Sequence, residues 1–187
     1  EYKGHTIEIH QDDAVASADD IHGWDDGLFL VAQHRDFHVD PPKGSTFASV
    51  IADHEATHHI FGLEAYIHSG IVLHLSGEAT IDRQWDVSQL GAVFARKTEW
   101  PDEKKAKEAA LSLIETWNDY LSGNVWGYNV PSTGDSCYNF VGDYDGQYGA
   151  LDEARAAIDW YIENERKEHI KRKKVEIINH VPLEKRK

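Results

Sequence analysis

Polar and apolar positions alternate over Thr6-Ile7-Glu8-Ile9-His10, which predicts a first strand with Ile7 and Ile9 turned inward. Gln11 to Asp26 holds few apolar residues besides Val15, Ile21 and Trp24 and reads as an acidic loop. Leu28-Phe29-Leu30-Val31-Ala32 is a continuous apolar run and predicts a buried strand, and Pro41-Pro42-Lys43-Gly44 breaks the chain after it. Ser45 is placed to cap a helix over 46–60, with Phe47, Val50, Ile51 and Ile60 on or near one face and Gly62 as its stop. Ala65 to His68 and Ile71 to Leu75 predict a hairpin about Ser69-Gly70, and Gln89 to Ala95 a further strand.

The second half of the chain is more strongly patterned. Pro101 sits where a first helical turn would begin, and Asp102 and Glu103 suit the positive end of the helix dipole. Ala106, Ala109, Ala110, Leu113, Trp117, Tyr120 and Leu121 follow helical spacing, and Gly123 is suited to the residue just past the helix end. Val125 to Val130 and Cys137 to Val141 predict a hairpin across the Pro131–Asp135 turn. A last helix is expected from Asp152 to about Lys174, burying Ala154, Ala157, Ile158, Tyr161 and Ile162. Trp117 and Trp160 read as core, and Val175-Glu176-Ile177-Ile178 as a short strand or docking tail. The order predicts an α+β fold, an antiparallel or mixed β-sheet with about three helices packed mainly on one face.

Charge adds what periodicity cannot. Residues 1–164 contain 29 Asp/Glu and 10 Lys/Arg, a balance of −19, whereas residues 165–187 contain 9 Lys/Arg and 4 Asp/Glu, a balance of +5. The chain therefore divides by charge into an acidic α+β domain over 1–164 and a basic helix end and tail over 165–187. An acidic body repels free nucleic acid, because binding to phosphates requires cations. It is attracted to basic surfaces, including the nucleic-acid grooves of other proteins; the competing explanation is that the charge serves solubility alone. The basic segment 166–174 opposite acidic residues of a second copy leaves a homodimer open. Cys137 is the only cysteine, so neither an internal disulfide nor a two-cysteine metal motif can form. No run of about 18 apolar residues exists, and residues 1–5 carry no basic and apolar leader pattern. Together these place the expected location in the cytoplasm.

The sharpest chemical motif is His54-Glu55-Ala56-Thr57-His58. On a helix, H-E-x-x-H sets two imidazoles one turn apart on one face, with Glu55 placed as general base on a zinc-bound water. Glu78 lies at a spacing that supplies the third ligand in one class of zinc hydrolases. Against this, 10 of the 12 histidines fall in residues 1–74, which raises the rate of chance matches, and the segment before Glu78 reads as a hairpin rather than a second helix. The balance falls against an enzyme, with no cofactor as the leading reading and zinc on His54, His58 and Glu78 as the alternative. Gly142-Asp143-Tyr144-Asp145-Gly146 is read as a turn, since it lacks the remaining ligands of a calcium loop. Binding of a small nucleotide signal through loop aromatics is a further alternative, for which only Arg83 or the basic tail offers a phosphate partner.

Several segments carry a resemblance: Ile7 to Asp13, Tyr66 to Ile71, Trp85 to Gly91, Glu115 to Tyr128, and Asp135 to Tyr138. Over residues 5–145 the chain resembles a family of small accessory proteins of bacteriophages and mobile elements that has no agreed activity. The resemblance implies an accessory protein acting in a bacterial host, and the family shows no zinc motif around His54–His58. By analogy, such proteins often serve in counter-defence, and acidic ones often occupy a nucleic-acid site. The expected function is then an anti-CRISPR or anti-restriction type inhibitor in the host cytoplasm. Its partner would be a host nucleic-acid-binding protein such as a defence nuclease. Its surface would be Asp12, Asp13, Asp19, Asp20, Trp24, Asp25, Asp26, Trp85 and Asp86, with no direct binding of nucleic acid and no membrane.

Overall fold

In the computed structural model, residues 1–12, 27–35, 37–41, 45–67, 70–78 and 87–180 are described. The strands are β1 (Glu8–Gln11), β2 (Leu28–Gln33), β3 (His38–Val39), β4 (His58–Ile67), β5 (Ile71–Leu75), β6 (Val87–Arg96), β7 (Val125–Val130) and β8 (Asp135–Val141). The helices are α1 (Phe47–His54), α2 (Glu103–Leu121) and α3 (Ala150–His180). Three helices with two antiparallel sheets make the protein α+β, the class its element order predicts. The chain divides into two compact units, Glu1–Asp12 with Trp126–Lys187, and Asp13–Val125. Within the first unit β1 pairs with β7, Ile9 opposite Tyr128, which ties the N-terminus to the last third of the chain.

The larger unit is built on a five-stranded sheet in the order β3-β2-β6-β4-β5. Successive strand residues face opposite sides, and β2 shows both. Leu30 and Ala32 join Leu63, Leu73 and Val93 against Ala110, Ile114 and Trp117 of α2. Phe29 and Val31 join Phe94 and Ile60 against Phe47, Val50 and Ile51 of α1. This sheet therefore carries a helix on each face, and the continuous apolar run of β2 is what burial on both sides requires. Trp117, 1% exposed, meets Phe37 edge-on at 5.6 Å and Tyr120 at 5.9 Å. A register shift lies between Leu63 and Glu64 where β4 pairs with β6. Gly91, opposite Leu63, sits so close to β2 that a Cβ there would collide with the Val31 carbonyl oxygen.

The boundaries of α2 follow its capping chemistry. Asp102 is the N-cap, its side chain accepting from the Lys105 N–H, so Pro101 precedes the cap instead of entering the first turn. Gly123, at φ +76°, takes the left-handed position past the C-terminus that its sequence foretells. The other unit holds a three-stranded sheet, β1-β7-β8, on which α3 packs Ala150, Ala154 and Ile158 against Tyr128 and Val130. Beyond this contact α3 continues to His180, with every residue from Ile162 onward exposed. Val175–Ile178 is helical rather than a strand. No Gly or Pro interrupts 151–180, and pairs such as Glu163–Lys167 (3.7 Å) and Glu168–Lys171 (3.4 Å) follow helical spacing.

Candidate functional site

The H-E-x-x-H segment does not lie on one helix. Thr46, rather than Ser45, caps α1: its Oγ1 accepts from the Ser49 N–H at 3.2 Å while Ser49 Oγ accepts from the Thr46 N–H at 2.8 Å. The helix ends at His54. Residues 55–57 form a turn, and His58 opens β4, so Gly62 lies within a strand and stops nothing. Lys97 secures that turn from the end of β6, its Nζ donating to the Glu55 carbonyl at 3.1 Å and the Ala56 carbonyl at 3.2 Å. Its backbone N–H donates to Thr57 O at 2.9 Å. Glu55 is exposed at the helix C-terminus.

His54 and His58 still meet, helix end against strand start, with ring centroids 4.7 Å apart. Phe29 stands edge-on to both, at 5.4 Å and 5.9 Å. His54 Nδ1 donates to the Val50 carbonyl at 2.9 Å, and His58 Nδ1 bonds Thr57 Oγ1 at 2.9 Å. His58 Nε2 is buried without a hydrogen-bond partner, and the residue is 7% exposed. Burial holds the His58 ring below the ordinary imidazole range, reinforced by the charges of His54 and Arg96.

Glu78 does not join this pair. Its carboxylate is ion-paired with Lys107 of α2, which packs on the sheet face opposite to α1, and that contact holds the carboxyl below its usual range. No group of three or more His, Cys, Asp or Glu among the described residues is arranged to hold a metal ion. His54, His58 and Glu78 are thus not brought together as the expected zinc set. Ile60 and Phe61 suit a strand and pair with Phe94 and Val93 of β6, so the second histidine opens a strand instead of completing a helical turn.

Of the acidic surface expected from the sequence, Asp12 alone falls within the described residues, and it is not displayed. It is 8% exposed, and its Oδ2 accepts from the Asn139 N–H at 3.1 Å, holding a residue of β8 at φ +67°. Asp13, Asp19, Asp20, Trp24, Asp25, Asp26, Trp85 and Asp86 lie outside the described residues.

Two features escape the sequence reading. Glu64 is buried on the α1 side of the five-stranded sheet, where Gln89 Nε2 donates to it, and His74, its cross-strand partner on β5, has a buried Nε2 with no hydrogen-bond partner. Nothing in the alternation of β4 and β5 distinguishes these polar residues from solvent-facing ones. Trp160, read as core, is 70% exposed and lines a cavity of about 200 Å³ with Thr133, Gly134, Asp135, Ala157 and Tyr161. Here a signal was present: at about 100° per residue, Trp160 lies well round the helix from the stripe Ala154, Ile158 and Tyr161.

A scan against protein-family models finds no matching family, and comparisons with curated proteins and with solved structures find no match. No helix among the described residues is long and apolar enough to cross a membrane.

Proposed function

We propose that this protein is a non-enzymatic interaction protein whose acidic body engages a basic, nucleic-acid-binding surface on another protein and competes there with nucleic acid. The observation that carries the reading is the separation of charge, 29 Asp/Glu against 10 Lys/Arg over residues 1–164. An excess of that size steers the protein towards cationic grooves and away from phosphates. The pairing of Glu78 with Lys107, away from His54 and His58, favours this reading over a zinc hydrolase, and the resemblance to phage accessory proteins supplies the setting, inhibition of a host defence nuclease.

The test is competition. Purified restriction and CRISPR nucleases are loaded with fluorescent duplex DNA and titrated with the protein at about 20 mM and about 500 mM salt, across which screening lengthens or collapses the range of surface charge. Displacement of DNA at low salt that fades at high salt is the expected result. Unchanged DNA occupancy across the panel at low salt overturns the proposal.

A further inference from the structure

We infer that the cavity between the β7–β8 turn and α3 is a socket for one cationic side chain, an arginine or lysine, presented by a basic protein partner. The inference rests on the proposed function and gives that charge-driven encounter a fixed point of contact. Its walls are chemically suited to a cation. Trp160 and Tyr161 come from α3, Ala157 lies one turn before Tyr161, and Thr133, Gly134 and Asp135 come from the turn. Trp160 is 70% exposed, so its ring is available to a ligand, and an indole face is the best aromatic partner for a guanidinium or ammonium group. Asp135 supplies the counter-charge. One oxygen, Oδ2, accepts from the Tyr128 hydroxyl at 3.1 Å; Oδ1 has no hydrogen-bond partner among the described residues.

Size and surroundings narrow the occupant. A volume of about 200 Å³ lies below the range of pockets that enclose drug-sized ligands and suits a single side chain. Gly134, at φ +74°, has open space where a Cβ would stand, so the turn does not close over the entrance. Within four residues of Trp160 on either side, α3 carries Asp159 and Glu163 and no Lys or Arg. This part of α3 therefore supplies no cation of its own to fill the socket; Asp159 is already paired with Lys3 at 2.7 Å, so the counter-charge offered to a cation from outside is that of Asp135.

Fluorescent octa-arginine, octa-lysine and octa-citrulline peptides are the probes, citrulline keeping the shape of arginine without its charge. At about 20 mM salt, octa-arginine is expected to bind and to shift the Trp160 indole N–H signal, identified by its absence in Trp160→Ala. Trp160→Ala and Asp135→Asn should each weaken binding about three- to tenfold, with Trp160→Phe recovering part of the loss. Octa-citrulline should leave the indole signal in place. Unchanged affinity of Trp160→Ala for octa-arginine overturns the socket while leaving the proposed function standing. An indole shift of equal size with octa-citrulline also overturns it, marking an apolar or stacking site. Absence of any octa-arginine binding removes both the socket and the charge-driven reading.

Discussion

Burial at the start of β4 strips water from the His58 ring, and a proton added there would face the charges of His54, Arg96 and Lys97. The folded-state value lies below the ordinary 6.5, so as pH falls through 6.5 the unfolded chain takes up the proton first. Stability from this group is therefore complete above about pH 6.5 and is lost progressively as pH drops towards the lowered folded value. Urea unfolding at pH 7.5 and pH 5.5 should show a lower midpoint at the acid pH, and His58→Gln should reduce the difference between the two. An equal pH difference in the variant would assign the effect to other groups. Asp12 is the opposite case of a titratable residue: sequence marks it as one more aspartate of an acidic loop, whereas the fold uses it to hold the Asn139 backbone. Such a role is invisible in sequence because its partner lies 127 positions away.

At the scale of elements, the end of α1 decides what the H-E-x-x-H motif can do. A short helix leaves carbonyls unpaired at its C-terminus, and here the ammonium of Lys97 satisfies two carbonyls of the turn that follows. Lys97→Met keeps much of the aliphatic stem and removes the charge. It is expected to cost about 1 kcal/mol, the scale of a hydrogen bond with a charged donor at a helix end, read from denaturant unfolding. No change would mean that water replaces the lysine there without loss. The helix stop and the onset of β4 differ from the sequence reading for one reason. Ile60 and Phe61, an apolar pair after the largely polar stretch Asp53 to His59, are compatible with either a helix or a strand, and the choice between them rests on Phe94 and Val93 of β6, which pair with them. By contrast α2, with nineteen residues and an unambiguous stripe, was legible nearly to its caps.

Across the molecule, the −19 and +5 segments set the net field, and α3 bears the basic portion on a helix with no apolar stripe in its last turns. Because every side chain from Ile162 to His180 is exposed, ending the chain after Asn164 should alter stability by less than about 0.5 kcal/mol. The same change takes the formal charge from −14 to −19. It should strengthen low-salt binding of octa-arginine and steepen its salt dependence. A large fall in melting temperature would show that the segment contributes to the fold, and unchanged binding would show that the partner reads only local charge.

The sequence by itself determined the α+β class, the existence of α2, α3 and both hairpins, and the opposed charges of body and tail. Periodicity and composition are local properties, and each residue contributes to them wherever it is placed. Tertiary structure alone decided that α1 and α2 cover opposite faces of one sheet, that β1 joins β7, that His54 and His58 meet without Glu78, and that Trp160 faces solvent beside Asp135. Those facts depend on which distant segment fills the space next to a residue, and burial and pairing across such distances leave no periodic trace in the chain.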